Sequence, residues 1–140
     1  MAKSRYEPLV KLKKKSLDKA ERDLVAINNE VAAASTALEG AYETLRLLSL
    51  PTQGSIRELA QANMMIQMQH DVIEQCKMRL ENAFAKQRQC REAFNEAMGE
   101  FEKFKYLEVQ EQNLRIKKLK DQEAKILDEI GTMLHKRERA

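Results

Sequence analysis

The sequence predicts an all-α fold, an antiparallel two-helix coiled-coil hairpin with a longer second helix projecting at its C-terminal end. Three observations lead there. Apolar residues recur at steps of three and four through most of the chain, turn-forming residues gather only in SLPTQGS at 49–55, and the composition is that of long helices. Charged residues make up 34% of the 140 and aromatic residues 5%, with four glycines, two prolines and no tryptophan. Too few large apolar groups are present to fill a compact globular core, whereas abundant Ala, Leu, Glu, Lys and Gln suit an extended helical seam.

From Val10 the first seam runs Leu17, Ala20, Leu24, Ile27, Val31, Ala34, Leu38, Ala41, Leu45, Leu48, and only Lys13 interrupts it. A period of 3.5 residues draws a narrow stripe along a helix, which is the seam of a left-handed coiled coil. Pro8 is tolerated in a first turn, so this helix is placed at about 7–48. Pro51 then removes a backbone donor and turns Leu50 away from helical angles, and Gly54 permits a positive φ. Residues 49–54 form the turn. Ser55 and Glu58 follow as a capping box, in which each side chain satisfies an otherwise orphaned N–H of the next helix. Helix 2 is placed at about 55–136, and the whole of 1–140 is read as one coiled-coil domain.

The second seam runs Leu59, Ala62, Ile66, Gln69, Ile73, Cys76, Leu80, Ala83, Gln87, Cys90, Phe94, Ala97, Phe101, Phe104. A short link between two matching stripes returns the chain antiparallel. A pivot at about residue 52 sets Leu17 near Gln87 and Tyr6 near Met98. Past Phe104 the frame slips by one residue and resumes as Ile116, Leu119, Glu123, Ile126, Ile130, Met133. About 36 residues, roughly 54 Å of helix at 1.5 Å per residue, are expected to project without an intramolecular partner.

Several chemistries have no support. No glycine stands in a phosphate-binding loop pattern, so no nucleotide or other cofactor is expected. Cys76 and Cys90 lie on one stripe about 21 Å apart along a helix and cannot share a metal; both are read as reduced core thiols. Acidic and basic residues at i, i+4, such as Asp18 with Arg22 and Asp121 with Lys125, solvate a helix face, and a two-helix rod has no cleft to hold a catalytic carboxylate pair. The chain is read as no enzyme. No apolar run reaches the roughly 20 residues that span a bilayer, and the start lacks the apolar core of a signal peptide, so a cytoplasmic location without membrane insertion is expected.

Surfaces carry what functional information there is. Residues 1–15 hold six basic side chains against one acidic, residues 16–101 nine against thirteen, and residues 102–140 ten against eight. Lys11, Lys13, Lys14 and Lys15 make the start a strongly basic end. Their spread around the helix without an aromatic platform fits an acidic protein better than nucleic acid, which is not expected as a partner. Met64, Met65, Met68 and Met78 cluster near the turn, more methionine than the seam needs, and Tyr42 sits just off the stripe opposite; both suit an adaptable protein interface.

Two stretches, RYEPLVKLKKKSLDKAERDLVAIN at the start and FEKFKYLEVQEQNLRIKKLKDQEAKILDE near the end, resemble the flagellar export protein FliJ family, which is related to the YscO group of type III secretion. The resemblance covers nearly the whole length, including the break near one third. It implies a hairpin similar to the central stalk of rotary ATPases. Such a component couples or regulates the export ATPase and the export gate without hydrolysing ATP, sits in the cytoplasm at the periphery of the membrane-embedded export apparatus, and in some members escorts export chaperones. Carried onto this chain, it places a face for the cytoplasmic domain of the export gate membrane protein at Leu38, Tyr42, Arg46, Met65, Gln69, Val72 and Cys76. The end that contacts the export ATPase ring is residues 3–15 with the segment from Arg115 through Leu119, Ile126 and Ile130 to Met133. The alternative from the seam alone is a structural adaptor or homodimerisation protein outside the export system, paired through residues 116–133.

Overall fold

The computed structural model describes residues 4–139; Lys3, expected at the ring-contacting end, lies outside the described residues. The fold is an all-α antiparallel helical hairpin of two elements, α1 at Glu7–Leu47 and α2 at Ile56–Arg139. Among the described residues there is no strand.

Local chemistry explains where each helix begins and ends. Ahead of α1, the Ser4 hydroxyl accepts from the Tyr6 N–H at 3.2 Å and the Ser4 carbonyl accepts from the Glu7 N–H at 3.2 Å, so a serine fills the capping role before Pro8. At the other end the Leu48 N–H tightens onto the Leu45 carbonyl at 3.1 Å, and Pro51 prevents continuation. Gly54 carries φ +153°, a conformation that side chains disfavour, and the Glu58 carboxylate occupies the space a Cβ would take. Ser55 Oγ accepts from the Glu58 N–H at 3.2 Å, which is the first half of the expected capping box.

The chain divides into two compact units, one of Asp18–Glu96 and one of the residues up to Leu17 with those from Ala97 onward. In the first unit, all the seam positions read from the sequence are buried or half-buried except Leu59, which is exposed. Ala34, Ala41, Ile73 and Ala83 are the buried points, and three of these four are alanine, which permits close approach of the helices. Gln69 shows that approach directly: its side-chain amide donates to the Ala41 carbonyl of α1 at 2.9 Å.

In the second unit Val10 and Leu17 are buried, and Ala97, Phe101, Phe104 and Leu107 are half-buried. Lys13, the one charge in the α1 seam, lies 3.6 Å from Glu100 with its ammonium 5.5 Å from the Phe104 ring centre. An opposite charge and an aromatic face thus meet the polar residue that the sequence read as an interruption.

The pairing differs from a fold about residue 52. That pivot would set Asn28 against Cys76 and Ala41 against Asn63; instead Asn28 meets Gln87 and Ala41 meets Gln69. In the second unit Ser4 and Arg5 meet Glu111, where the same pivot would set Ser4 against Glu100 and Arg5 against Gly99. The cause is visible at the turn. Ile56 is 88% exposed and Leu59 exposed, so the first turn of α2 overhangs before Ala62 and Ile66 enter the seam. The centre of the hairpin therefore lies further along the chain than the middle of the loop.

That displacement also corrects the expected slip at Phe104. Spacing of three and four continues through Leu107, Glu111 and Arg115, all half-buried, with polar residues taking seam positions. From Ile116 to Glu138 every side chain is exposed. The uncovered part of α2 is thus nearer 23 residues, about 35 Å, than the 36 expected.

Candidate protein-binding surfaces

Near the turn, the expected gate-facing residues separate into two kinds. Leu38, Gln69 and Cys76 are half-buried in the seam, and Gln69 is held by the Ala41 carbonyl. Tyr42, Arg46, Met65 and Val72 are exposed. Arg46 pairs with Glu43 at 2.9 Å on its own helix, and these two line a shallow groove with Tyr42, Glu39 and Leu45. Lys77 of α2 bonds Glu74 at 3.4 Å, which is the first cause that raises its pKa, and the Tyr42 hydroxyl raises it further from α1. The seam members supply the spacing, and the outward Tyr42, Met65 and Val72 supply an apolar surface; Met64 and Met68 are exposed as well. An exposed set of flexible thioethers suits a partner of irregular shape.

At the basic end, the lysines are bound up to different degrees. Lys13 is turned into the seam as described, and the Lys14 ammonium lies 5.6 Å from the Phe101 ring centre. Lys11 pairs with Glu7 at 3.4 Å, and Lys15 is exposed. Arg115 is half-buried and donates to Glu111 at 2.8 Å, so it closes the covered part of α2 rather than opening the uncovered part. Leu119, Ile126, Ile130 and Met133 are exposed along the following helix.

The sequence did not single out Ser4, Arg5 and Glu111. The Ser4 hydroxyl donates to Glu111 at 3.0 Å, Arg5 stands 4.0 Å from the same carboxylate, and Arg115 contacts its other oxygen. One half-buried carboxylate therefore gathers the chain start and α2. The only available signal was Glu111 and Arg115 at i, i+4, a spacing repeated all along the chain. A second unforeseen contact joins Arg79 to Glu30 by 2.7 and 3.2 Å bonds, beside a groove lined by Ile27, Met78 and Ala83. The Arg79 hydrogen bond is the main cause that lowers the Glu30 pKa, and Glu30 raises that of Arg79.

Among the described residues, no group of His, Cys, Asp and Glu is placed to hold a metal ion, and no helix is long and apolar enough to cross a membrane. What the arrangement offers is contact: an apolar, methionine-rich face near the turn, a basic start, and an uncovered amphipathic helix.

Comparison with known protein families finds that a family model described as flagellar FliJ protein matches residues 2–140. The chain belongs to the flagellar FliJ protein family. No curated protein and no solved structure matches it significantly. As a FliJ family member the chain is a component of the flagellar export apparatus, and its two helices are the coiled coil of that component.

Proposed function

We propose that the chain is a non-enzymatic coupling element of the flagellar export apparatus, working in the cytoplasm beside the membrane-embedded machine. Its ring-side surface is the basic start, Lys11 to Lys15, with the uncovered helix from Leu119 to Met133, and its partner there is the export ATPase. The face bearing Tyr42, Arg46, Met65 and Val72 meets the cytoplasmic domain of the export gate, and export chaperones are further partners. ATP is hydrolysed by the ring, and this chain passes on a mechanical or regulatory signal.

The observation that carries this reading is a contrast within α2 of a family of export proteins. Apolar residues at coiled-coil spacing are covered as far as Leu107, and the same spacing from Ile116 onward meets only solvent. A solvent-facing apolar stripe of this kind supports a docking role. Basic side chains at the neighbouring start add electrostatic attraction to an acidic partner, which weakens as salt rises.

The test is a pulldown of the full chain with the cognate export ATPase at low and at raised salt. Retention at low salt that falls with salt is expected; absence of retention at low salt overturns the ring-side assignment. Tyr42→Ala with Met65→Ala should weaken binding to the gate's cytoplasmic domain and leave ATPase retention unchanged.

A further inference from the structure

Polar residues in the seams of this protein do not stand alone. Lys13 is met by Glu100 at 3.6 Å, Gln69 by the Ala41 carbonyl at 2.9 Å, and Gln87 by Asn28 at 2.8 Å, each from the opposing helix. Glu123 is the exception. It falls in the middle of the uncovered stripe, with Ile116 and Leu119 on one side and Ile126, Ile130 and Met133 on the other. Among the described residues it makes neither a hydrogen bond nor an ion pair, and it is exposed.

Any helix that covers the apolar residues on both sides of Glu123 must also remove that carboxylate from water. Against an apolar side chain this leaves an uncompensated charge, which is strongly unfavourable. A second copy of the chain does not solve the problem. Parallel pairing in register sets Glu123 against its own equivalent, and antiparallel pairing centred on the stripe sets it against Ile126.

We propose that the stripe from Ile116 to Met133 takes a different protein, a helix whose apolar seam carries one lysine or arginine opposite Glu123. The inference rests on reading this face as a docking surface and adds the chemistry of its partner. Val10, Lys13 and Leu17 illustrate such a seam within this chain, where a single lysine between buried apolar residues pairs with a glutamate across the interface. Glu123 then gives specificity in both senses: it attracts a basic seam and rejects self-pairing.

The experiment uses the full chain and labelled helical peptides about three heptads long, with apolar seam positions, flanking glutamates, and Lys, Leu or Glu at the central seam position. Fluorescence anisotropy should show the Lys peptide bound on the order of tenfold tighter than the Glu peptide. Glu123→Lys should reverse that order, and Glu123→Gln should remove it. Glu123 is exposed, so these variants should keep the helix content of the parent. In sedimentation, the parent should remain monomeric and Glu123→Leu should self-associate. Equal affinity for the three peptides, no binding of any, or a parent dimer that Glu123→Leu leaves unchanged overturns the proposal. Loss of ATPase retention with the Lys preference intact removes the proposed ring partner only; the opposite pattern removes the chemistry assigned to Glu123.

Discussion

The Ser4 hydroxyl donates to the Glu111 carboxylate at 3.0 Å across 107 residues of sequence, and the same carboxylate takes Arg5 and Arg115. Ser4 is buried, so loss of its acceptor strands a polar group. Hydrogen bonds to charged groups contribute about 1.5–3 kcal/mol, and the partial exposure of this cluster argues for the lower end. Glu111→Ala should therefore loosen the start of α1 locally. Amide exchange at residues 6–10 is expected to speed up about tenfold, with protection around Ile73 unchanged. Glu111→Gln, which keeps an acceptor, should recover part of that protection.

The pairing of Asn28 with Gln87 can be tested by distance. Spin labels on Asn28→Cys and Gln87→Cys, in a chain with Cys76→Ser and Cys90→Ser, should report a short separation. Moving the second label from residue 87 to 76 places it eleven residues back along α2, about 16 Å of helix rise, and the distance should lengthen accordingly. The reverse ordering would restore a pivot at residue 52.

Glu30 supplies a pH signature. Its folded pKa lies below the ordinary value of 4.5, chiefly because Arg79 hydrogen-bonds the ionised form. A depressed carboxylate pKa means that the pair stabilises the fold above the unfolded value and that this contribution is lost as pH falls below about 4.5, through the folded value. The pair is exposed, so the effect should be small and weakened by salt. A carboxyl titration followed by NMR should place Glu30 low in the parent and return it toward the ordinary value in Arg79→Ala.

Seam and uncovered stripe should respond differently to the same chemical change. Ile73 is 3% exposed, and Ile73→Ala should cost about 2–4 kcal/mol in thermal or urea unfolding. Ile126 is exposed, and Ile126→Ala should stay within about 0.5 kcal/mol. In a binding assay with the export ATPase the ranking should invert, Ile126→Ala weakening retention and Ile73→Ala acting only through stability.

Much of this fold could be read from periodicity because a coiled-coil seam is a local pattern. Leu17, Ala34, Ala41, Ile73 and Ala83 were placed in the seam by spacing alone and are buried. The turn was equally legible, since Pro51, Gly54 and Ser55 each restrict the backbone in a known way. The offset between the helices was not, because it depends on how far α2 runs before meeting α1, and Ile56 and Leu59 are apolar yet left outside. Leu107, Glu111 and Arg115 looked like a break in the frame, since a glutamate in a seam is indistinguishable by type from one in solvent. Of the candidate surfaces, Tyr42, Met65 and the residues from Leu119 to Met133 were named from sequence and resemblance and are exposed. The engagement of Lys13 and Lys14 with aromatic rings needed coordinates, because the partners, Phe104 and Phe101, lie far away along the chain on the other helix.

The amides at Gln69 and Gln87 have an effect beyond the two bonds they make. An unbroken hydrocarbon edge can slide by a whole heptad and still match leucine with leucine, so a chain built that way would settle into several staggered forms. Each glutamine meets an acceptor on the opposing helix at the observed offset, and a shifted form must break both bonds before it can remake them elsewhere. Replacing both with leucine should accordingly raise the melting temperature while broadening the population into sliding isomers.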